Sequence, residues 1–181
     1  NVTGVQPCAL PISSIGLVLT GSLIAVDSAD ARSRRNRHAA YTPPYAAYVV
    51  DANSGKVLHA HNENALRHPA SVTKVMTLYM LFEQLEKGRL RLDSEITISQ
   101  HAASMAPSKL GLRPGSTIEV EDAILALVTK SANDIAAAVA EHIGGTEERF
   151  AQLMTAKARS LGMTRTHYEN ASGLPDPGQV T

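Results

Sequence analysis

The segment HPASVTKVMTLYMLFEQLEKG, residues 68–88, decides the fold of this chain. Pro69 suits the first turn of a helix and Gly88 suits its C-terminal end, so the segment predicts a helix over residues 70–87. Apolar side chains fall on nearly every face of this helix. A helix without a polar face is typical of a domain interior, so we predict that it is central and covered on every side.

Two polar residues, Ser71 and Lys74, stand at the N-terminal end of this apolar helix. Helical residues three apart share a face, with Cβ atoms about 5–6 Å apart, so the lysine can reach the serine hydroxyl. The free amide groups of the first turn favour negative charge, and an apolar pocket makes a lysine easier to deprotonate. The pattern predicts a serine nucleophile activated by a lysine base. An N-cap serine followed by a surface lysine is the alternative, and the apolar surroundings argue against it.

A second polar pair, Ser131 and Asn133, lies between helices predicted over residues 120–130 and 134–142. Serine and asparagine at such a break are ordinary helix caps. The functional interpretation places them in the side of a cleft. There the Ser131 hydroxyl would relay a proton to a leaving group, and the Asn133 amide would bind a substrate amide. The residues alone leave both interpretations open.

The remaining predicted elements are short. They are strands over residues 46–51, 56–60, 95–98 and 117–118, a loop over 99–116, a helix over 147–161 and a loop over 170–175. Strands followed by a run of helices predict an α+β domain. Because one hairpin is too small to cover a helical layer, we expect most of the sheet to lie outside this chain.

Composition excludes several classes of function. Hydrophobic residues make up 44% and charged residues 19% of the 181, which suits a packed core. Lys+Arg and Asp+Glu both number 17, so the chain lacks the basic footprint of a nucleic-acid-binding protein. Aromatic residues make up 4%, with no Trp, which argues against an aromatic carbohydrate-binding surface. A single cysteine, Cys8, excludes an internal disulfide.

Other charged residues receive structural interpretations. His59 and His61 alternate along a strand, but no third ligand stands at a convincing spacing, so we predict solvated residues rather than a metal site. Glu147, Glu148 and Arg149 are predicted to form the solvated first turn of a helix.

The N-terminal region has a targeting pattern. Residues 12–26 are apolar and uncharged, and residues 29–31, Ala-Asp-Ala, fit a signal-peptide cleavage site. No lysine or arginine precedes position 32, so our hypothesis is that residues 1–11 replace the native start. We predict a doubtful N-terminus and signal peptide over 1–31, a linker over 32–44 and a catalytic domain over 45–181.

The two polar pairs lie about sixty residues apart and together resemble the penicillin-binding and serine β-lactamase superfamily, which uses Ser-x-x-Lys, Ser-x-Asn and Lys-Thr-Gly. Over residues 45–181 the chain resembles penicillin-binding serine D-alanyl-D-alanine carboxypeptidases, peptidase family S11. The segments that carry this resemblance are PASVTKVMT (69–77), KSAND (130–134), LGMT (161–164) and NASGLP (170–175). The resemblance implies an α+β, β-lactamase/transpeptidase-like fold, here incomplete.

The family resemblance also implies an activity. Ser71 would attack the carbonyl between the two D-alanines of a peptidoglycan stem pentapeptide, with Lys74 as base and Ser131 and Asn133 in the roles given above. The Ser71 amide would supply half of the oxyanion hole. Terminal D-alanine would leave, and water would hydrolyse the acyl-enzyme. No cofactor or metal is implied, and β-lactams should acylate the same serine. The expected location is the periplasm, with a role in cell-wall synthesis and cell shape.

The third motif, Lys-Thr-Gly, does not occur in the sequence. In the family that the chain resembles, this motif lies on a strand well beyond Asn133. We therefore expect that the chain ends before that strand. The missing part would include the second oxyanion donor and any C-terminal domain or membrane anchor. Residues 32–181 alone are then expected to be inactive.

Three alternatives remain. A class A β-lactamase would need a Glu-x-x-Leu-Asn segment, and none occurs through Thr181. A related D,D-endopeptidase that cuts cross-links is compatible with the same residues. A non-catalytic peptidoglycan-binding relic would explain the absent third motif but not the retention of Ser71, Lys74, Ser131 and Asn133.

Overall fold

The computed structural model of the chain describes residues 44–181. The predictions for residues 1–43, including the signal peptide, lie outside this range. The chain begins with strands β1 (Ala47–Val50) and β2 (Val57–His61), followed by a 3-10 turn (Ala70–Val72) that continues into helix α1 (Thr73–Glu86). Next come strand β3 (Glu95–Thr97), helix α2 (Gln100–Ser104) and strand β4 (Thr117–Glu119). The last elements are helix α3 (Val120–Leu125), which ends in a π-helical turn (Ala126–Lys130), and helices α4 (Asn133–Gly144) and α5 (Glu147–Ser160). The predicted α+β class is confirmed.

Two separate antiparallel pairs of strands are present in the described residues. In the β1–β2 hairpin, Ala47 lies opposite His61. Asp51 closes its turn by accepting hydrogen bonds from the amide and hydroxyl of Ser54, at 2.7 and 2.6 Å, and these bonds lower the pKa of the Asp51 carboxyl. The second pair, β3–β4, places Ile96 opposite Ile118. Every residue of β2 is exposed, which agrees with the solvated His59 and His61 of the prediction.

The most enclosed helix is α4. Its residues 135–140 have no exposed surface, and four of these six are alanine. Because alanine side chains are small, helices α1, α2 and α5 can all pack closely against α4. This arrangement fixes the N-terminal end of α4, which carries Asn133, beside the N-terminal part of α1.

The helix predicted over 70–87, expected to be covered on every side in a complete domain, has one covered side within residues 44–181. One side of α1 packs into the core through Met76, Met80 and Leu81. The opposite side leaves Val75 65% and Phe82 49% exposed. The apolar sequence pattern is equal on both sides, but within residues 44–181 no element packs against this second side.

The loop predicted over 99–116 contains helix α2, which the sequence reasoning missed. Ser99 caps this helix by accepting a hydrogen bond from the amide of Ala102 at 2.9 Å. The predicted break after residue 130 is present. There the π-helical turn ends at Ser131, which has a left-handed backbone with φ of 55°.

The last sixteen residues fold back across the N-terminal end of α1. His167 and Val180 exchange backbone hydrogen bonds, and so do Arg67 and Thr181. The loop over 170–175 lies inside this fold, and its position brings it against the turn that contains Ser71. No helix within residues 44–181 is long and apolar enough to span a bilayer.

Candidate active site

The centre of the site is the ammonium nitrogen of Lys74, whose residue is only 3% exposed. Lys74 Nζ lies 2.7 Å from Asn133 Oδ1, 2.6 Å from the backbone oxygen of Ser172 and 3.5 Å from Ser71 Oγ. The structure thus brings together three of the four predicted site residues. Ser71 is exposed at the surface, as a nucleophile that meets a substrate must be.

The environment of Lys74 changes its pKa. Burial lowers the pKa of this amine, because the charged form loses its hydration. The oxygens of Asn133 and Ser172 accept two hydrogen bonds from Nζ, and the third direction of Nζ points to Ser71 Oγ. The 3.5 Å between Nζ and Ser71 Oγ is long for a hydrogen bond.

Asn133 is not the cap of α4. It is the first residue of the helix, and the cap position belongs to Ala132, which has no capping side chain. The Asn133 side chain accepts from Lys74 and donates through Nδ2 to the carbonyl of Ala106 at 2.8 Å. The backbone amide of Asn133 also donates to the carbonyl of Ser108 at 2.7 Å. The segment after α2 therefore holds Asn133 in place.

Ser131 stands apart from this network. Within residues 44–181 the hydrogen bonds of Lys74 reach Ser71, Asn133 and Ser172, and none reaches Ser131. Its left-handed backbone is uncommon for a residue with a side chain and is one of the strained conformations found often at functional sites. The proton-relay role of Ser131 stays a prediction.

The sequence reasoning identified the NASGLP segment as a loop but missed its contribution to the site. Besides the Ser172 carbonyl on Lys74, the Ala171 carbonyl accepts the Thr77 hydroxyl at 2.7 Å. Gly173, with φ of 83°, lies so close to the turn before α1 that a Cβ there would overlap the backbone oxygen of Ala70. The signal that could have revealed this contact is the glycine itself.

The interpretation of Glu147 as part of a solvated turn is wrong. Glu148 and Arg149 are exposed, but Glu147 is only 6% exposed. Its Oε1 accepts from the amide of Ala171 at 2.9 Å, and its Oε2 lies 2.7 Å from Nε2 of His101. A buried carboxylate needs such partners. The partners lie far away in sequence, so the local pattern did not reveal them.

A largely apolar cavity of about 510 Å³ opens beside the turn that carries Ser71. It is lined by His68–Ala70 on one side and by Gly173–Pro177 and Gln179 on the other. No group of three or more His, Cys, Asp or Glu side chains suited to a metal ion occurs in the described part of the chain.

Comparison with known proteins agrees with this site. The sequence profile of the Peptidase_S11 family, D-alanyl-D-alanine carboxypeptidase, matches residues 34–181. The chain belongs to this family. The matched region includes both polar pairs and the loop that supplies the Ser172 carbonyl.

Relatives within the S11 family cover most of the chain. The D-alanyl-D-alanine carboxypeptidase DacF of Bacillus subtilis is 38% identical over 136 residues, which is 75% of this chain and 35% of that protein. The crystal structure of the D-alanyl-D-alanine carboxypeptidase DacD from Francisella tularensis matches with a TM-score of 0.73 and 37% identity, over 75% of this chain and 33% of that one. The chain thus spans about a third of the length of these S11 relatives.

Penicillin-Binding Protein D2 from Listeria monocytogenes, solved in its ampicillin-bound form, matches with a TM-score of 0.66 and 28% identity, over 75% of this chain and 55% of that one. Together with the S11 match, these likenesses confirm the predicted penicillin-binding-protein or transpeptidase-like fold for the part of it that the chain contains.

Proposed function

We propose that this protein is a serine D-Ala-D-Ala carboxypeptidase that trims the terminal D-alanine from peptidoglycan stem pentapeptides. The observation that carries the proposal is the geometry of Lys74, a buried amine that donates to the oxygens of Asn133 and Ser172 and lies 3.5 Å from the Ser71 hydroxyl. Membership of the S11 family supports the choice of substrate class.

The first step forms the acyl-enzyme. Ser71 Oγ bonds to the carbonyl carbon between the two D-alanines while its proton passes to Lys74 Nζ. The Ser71 amide lies in the first turn of a helix, where N–H groups lack helical partners, and is proposed to donate to the developing oxyanion. The bond to the leaving D-alanine nitrogen then breaks, and that nitrogen takes up the proton, with the Ser131 hydroxyl as the proposed relay.

The second step is hydrolysis. A water molecule attacks the ester at Ser71 and gives up a proton to Lys74. The Ser71 oxygen then leaves the acyl group and takes back that proton from Lys74. β-Lactams have the same carbonyl within a strained ring and are proposed to acylate Ser71 in the same way. The ampicillin-bound relative supports this partner class.

The substrate also supports a proposed location. Peptidoglycan stem peptides lie outside the inner membrane, and residues 12–26 with the Ala-Asp-Ala at 29–31 have the pattern of an export signal. We therefore propose a periplasmic enzyme of cell-wall synthesis and cell shape. We also propose membrane attachment, which the family resemblance supports and the described helices do not.

The test uses the full-length gene product and its Ser71→Ala variant. We expect the unmodified protein to release D-alanine from a peptide ending in D-Ala-D-Ala and to be labelled by a fluorescent penicillin. Ser71→Ala should abolish both, because the hydroxyl is the acylated atom. Ser160→Ala, an exposed serine at the end of α5, is the matched control and should change neither.

Labelling of Ser71→Ala at the rate of the unmodified protein would remove Ser71 from the mechanism. Cleavage of a cross-linked peptide dimer without release of terminal D-alanine would instead identify a D,D-endopeptidase. Absence of both labelling and cleavage in the unmodified protein would favour the non-catalytic relic.

A further inference from the structure

We infer that Glu147 is a positioning residue whose buried carboxylate connects the two segments that hold Lys74 in its orientation. The inference rests on the proposed role of Lys74 as the base. Glu147 touches neither Ser71 nor Lys74, so its effect must pass through the backbone that it holds.

The first connection runs through the loop over 170–175. Glu147 Oε1 accepts from the amide of Ala171 at 2.9 Å, and the carbonyl of the next residue, Ser172, accepts from Lys74 at 2.6 Å. Ala171 has no exposed surface, and its own carbonyl accepts from Thr77. One buried peptide segment is therefore fixed between α5 and α1, and a shift of the Ala171 amide would move an acceptor of Lys74.

Other amides of this loop are held from within the C-terminal segment itself. Asn170 Oδ1 accepts from the amides of Ser172 and Gly173, and Gln179 Oε1 accepts from those of Glu169 and Asn170. These bonds shape the loop but do not fix it relative to the helices. Among the backbone amides of residues 169–173, that of Ala171 is the one that bonds to a core helix within the described residues. Glu147 is thus one of the helix side chains that hold the preshaped loop in place, together with Thr77 and Thr155.

The second connection runs through His101 in α2. Glu147 Oε2 lies 2.7 Å from His101 Nε2, and α2 leads directly into the segment whose Ala106 and Ser108 carbonyls hold Asn133. Asn133 is the other oxygen acceptor of Lys74. A single carboxylate therefore connects to both segments whose oxygens hold Lys74 beside Ser71.

The charges around His101 suit this contact. The histidine, about half exposed, faces Glu147 and the further carboxylates of Glu141 and Glu148. A protonated His101 would fix the Glu147 carboxylate by a charge-assisted hydrogen bond. Glu148 shares the same turn of α5 and the same charge but is exposed, so it offers a matched control.

The test compares Glu147→Met, Glu147→Gln and Glu148→Met in the full-length gene product. Acylation by a β-lactam is followed in single-turnover experiments, which separate the noncovalent Kd from the acylation rate constant of the folded molecules. Glu147→Met removes both acceptors, and we expect acylation to slow by ~10²-fold with little change in Kd, because displacement of a catalytic group by about 1 Å has effects of that size. Glu147→Gln keeps an oxygen for Ala171 and should recover most of the rate. Glu148→Met should behave as the unmodified protein does.

A second measurement does not need catalysis. Hydrogen exchange at the amides of residues 171–173 should accelerate in Glu147→Met and not in Glu148→Met. A merely structural role would lower the folded fraction or the Tm of Glu147→Met but leave the acylation rate constant of folded molecules unchanged, and that result would overturn the inference. So would a Glu147→Gln variant as slow as Glu147→Met, or unchanged exchange at residues 171–173. If the unmodified protein is not acylated at all, the proposed function fails, and the exchange experiment still decides the structural connection.

Discussion

At the scale of single residues, the site depends on buried polar groups whose partners lie far away along the chain, such as Lys74 with Asn133 and Glu147 with Ala171. The spacing of Ser71 and Lys74 follows from helix geometry, since residues three apart share a face. Glu147 could not be recognised in the same way. An acidic residue in the first turn of a helix is favoured by the helix dipole whether it is solvated or buried. Its acceptor role depends on Ala171, 24 positions away, which no local pattern specifies.

The contact between His101 and Glu147 predicts a pH dependence of stability. The hydrogen bond that His101 donates to Glu147, with the nearby charges of Glu141 and Glu148, raises the pKa of His101 above its ordinary value of about 6.5, against the opposing effect of burial. A raised folded-state pKa means that the folded protein binds the proton more tightly. The stabilisation is therefore full below about pH 6.5 and is lost as the pH rises through the folded-state pKa.

Urea unfolding of His101→Gln across this pH range tests the dependence. We expect the variant to lose stability relative to the unmodified protein at low pH, by on the order of 1 kcal/mol or less because the histidine is half exposed. The difference should shrink as the pH rises. His142→Gln, an exposed histidine on α4, is the control and should show no such trend. A deficit that grows with pH would contradict the assigned contact.

At the scale of elements, sequence periodicity placed the long helices and the strands to within about two residues of where they lie. The five-residue helix α2 was missed because so short a helix shows little periodicity. Its position matters, because the chain leaving α2 supplies the carbonyls that hold Asn133. The loop over 170–175 was found by its composition, but its contacts depend on the fold of the whole C-terminal segment.

The close approach of this loop to the start of α1 allows a prediction about Gly173. Gly173→Ala would require both a left-handed backbone for a residue with a side chain and space that the Ala70 carbonyl occupies. Gly162→Ala imposes a similar backbone, with φ of 85°, but a Cβ there meets nothing within 4 Å. We expect Gly162→Ala to cost about 1–2 kcal/mol of stability with normal acylation per folded molecule.

Gly173→Ala should cost clearly more stability than Gly162→Ala in the same unfolding experiment. It should also slow acylation, since the loop must move away from Ser71 and take the Ser172 carbonyl with it. Equal stability losses in the two variants, with equal acylation rates, would show that the loop does not pack against α1 as described.

At the scale of the whole molecule, the distribution of apolar residues predicted that α1 has a core position but not which side the described chain covers. Helix α4 is the more enclosed of the two because its alanines admit three neighbouring helices. The apolar pattern of α1 is symmetrical, whereas its packing within residues 44–181 is one-sided and leaves Val75 and Phe82 exposed. A sequence pattern indicates which side chains can be buried, and only tertiary structure selects the ones that are.

The packing of the helices explains how the residues of the site come together. Its proposed reacting groups come from α1 and the 3-10 turn before it, while their supports come from α2, α4, α5 and the C-terminal segment. Helices α1, α2 and α5 pack around α4, and the C-terminal segment bonds to α1 and α5. The lysine is consequently buried among backbone and amide oxygens, and this burial lowers its pKa, which supports the proposed role as base.

The pre-steady-state rate of acylation by a β-lactam in Lys74→Ala, measured in the full-length gene product, tests the role of Lys74 most directly. We predict a rate lower than that of the unmodified protein by several powers of ten, because a nucleophile and its base act as a unit. Lys87→Ala, an exposed lysine just after α1, should acylate normally. A Lys74→Ala variant that acylates as fast as the unmodified protein would contradict the assignment of Lys74 as the base of Ser71.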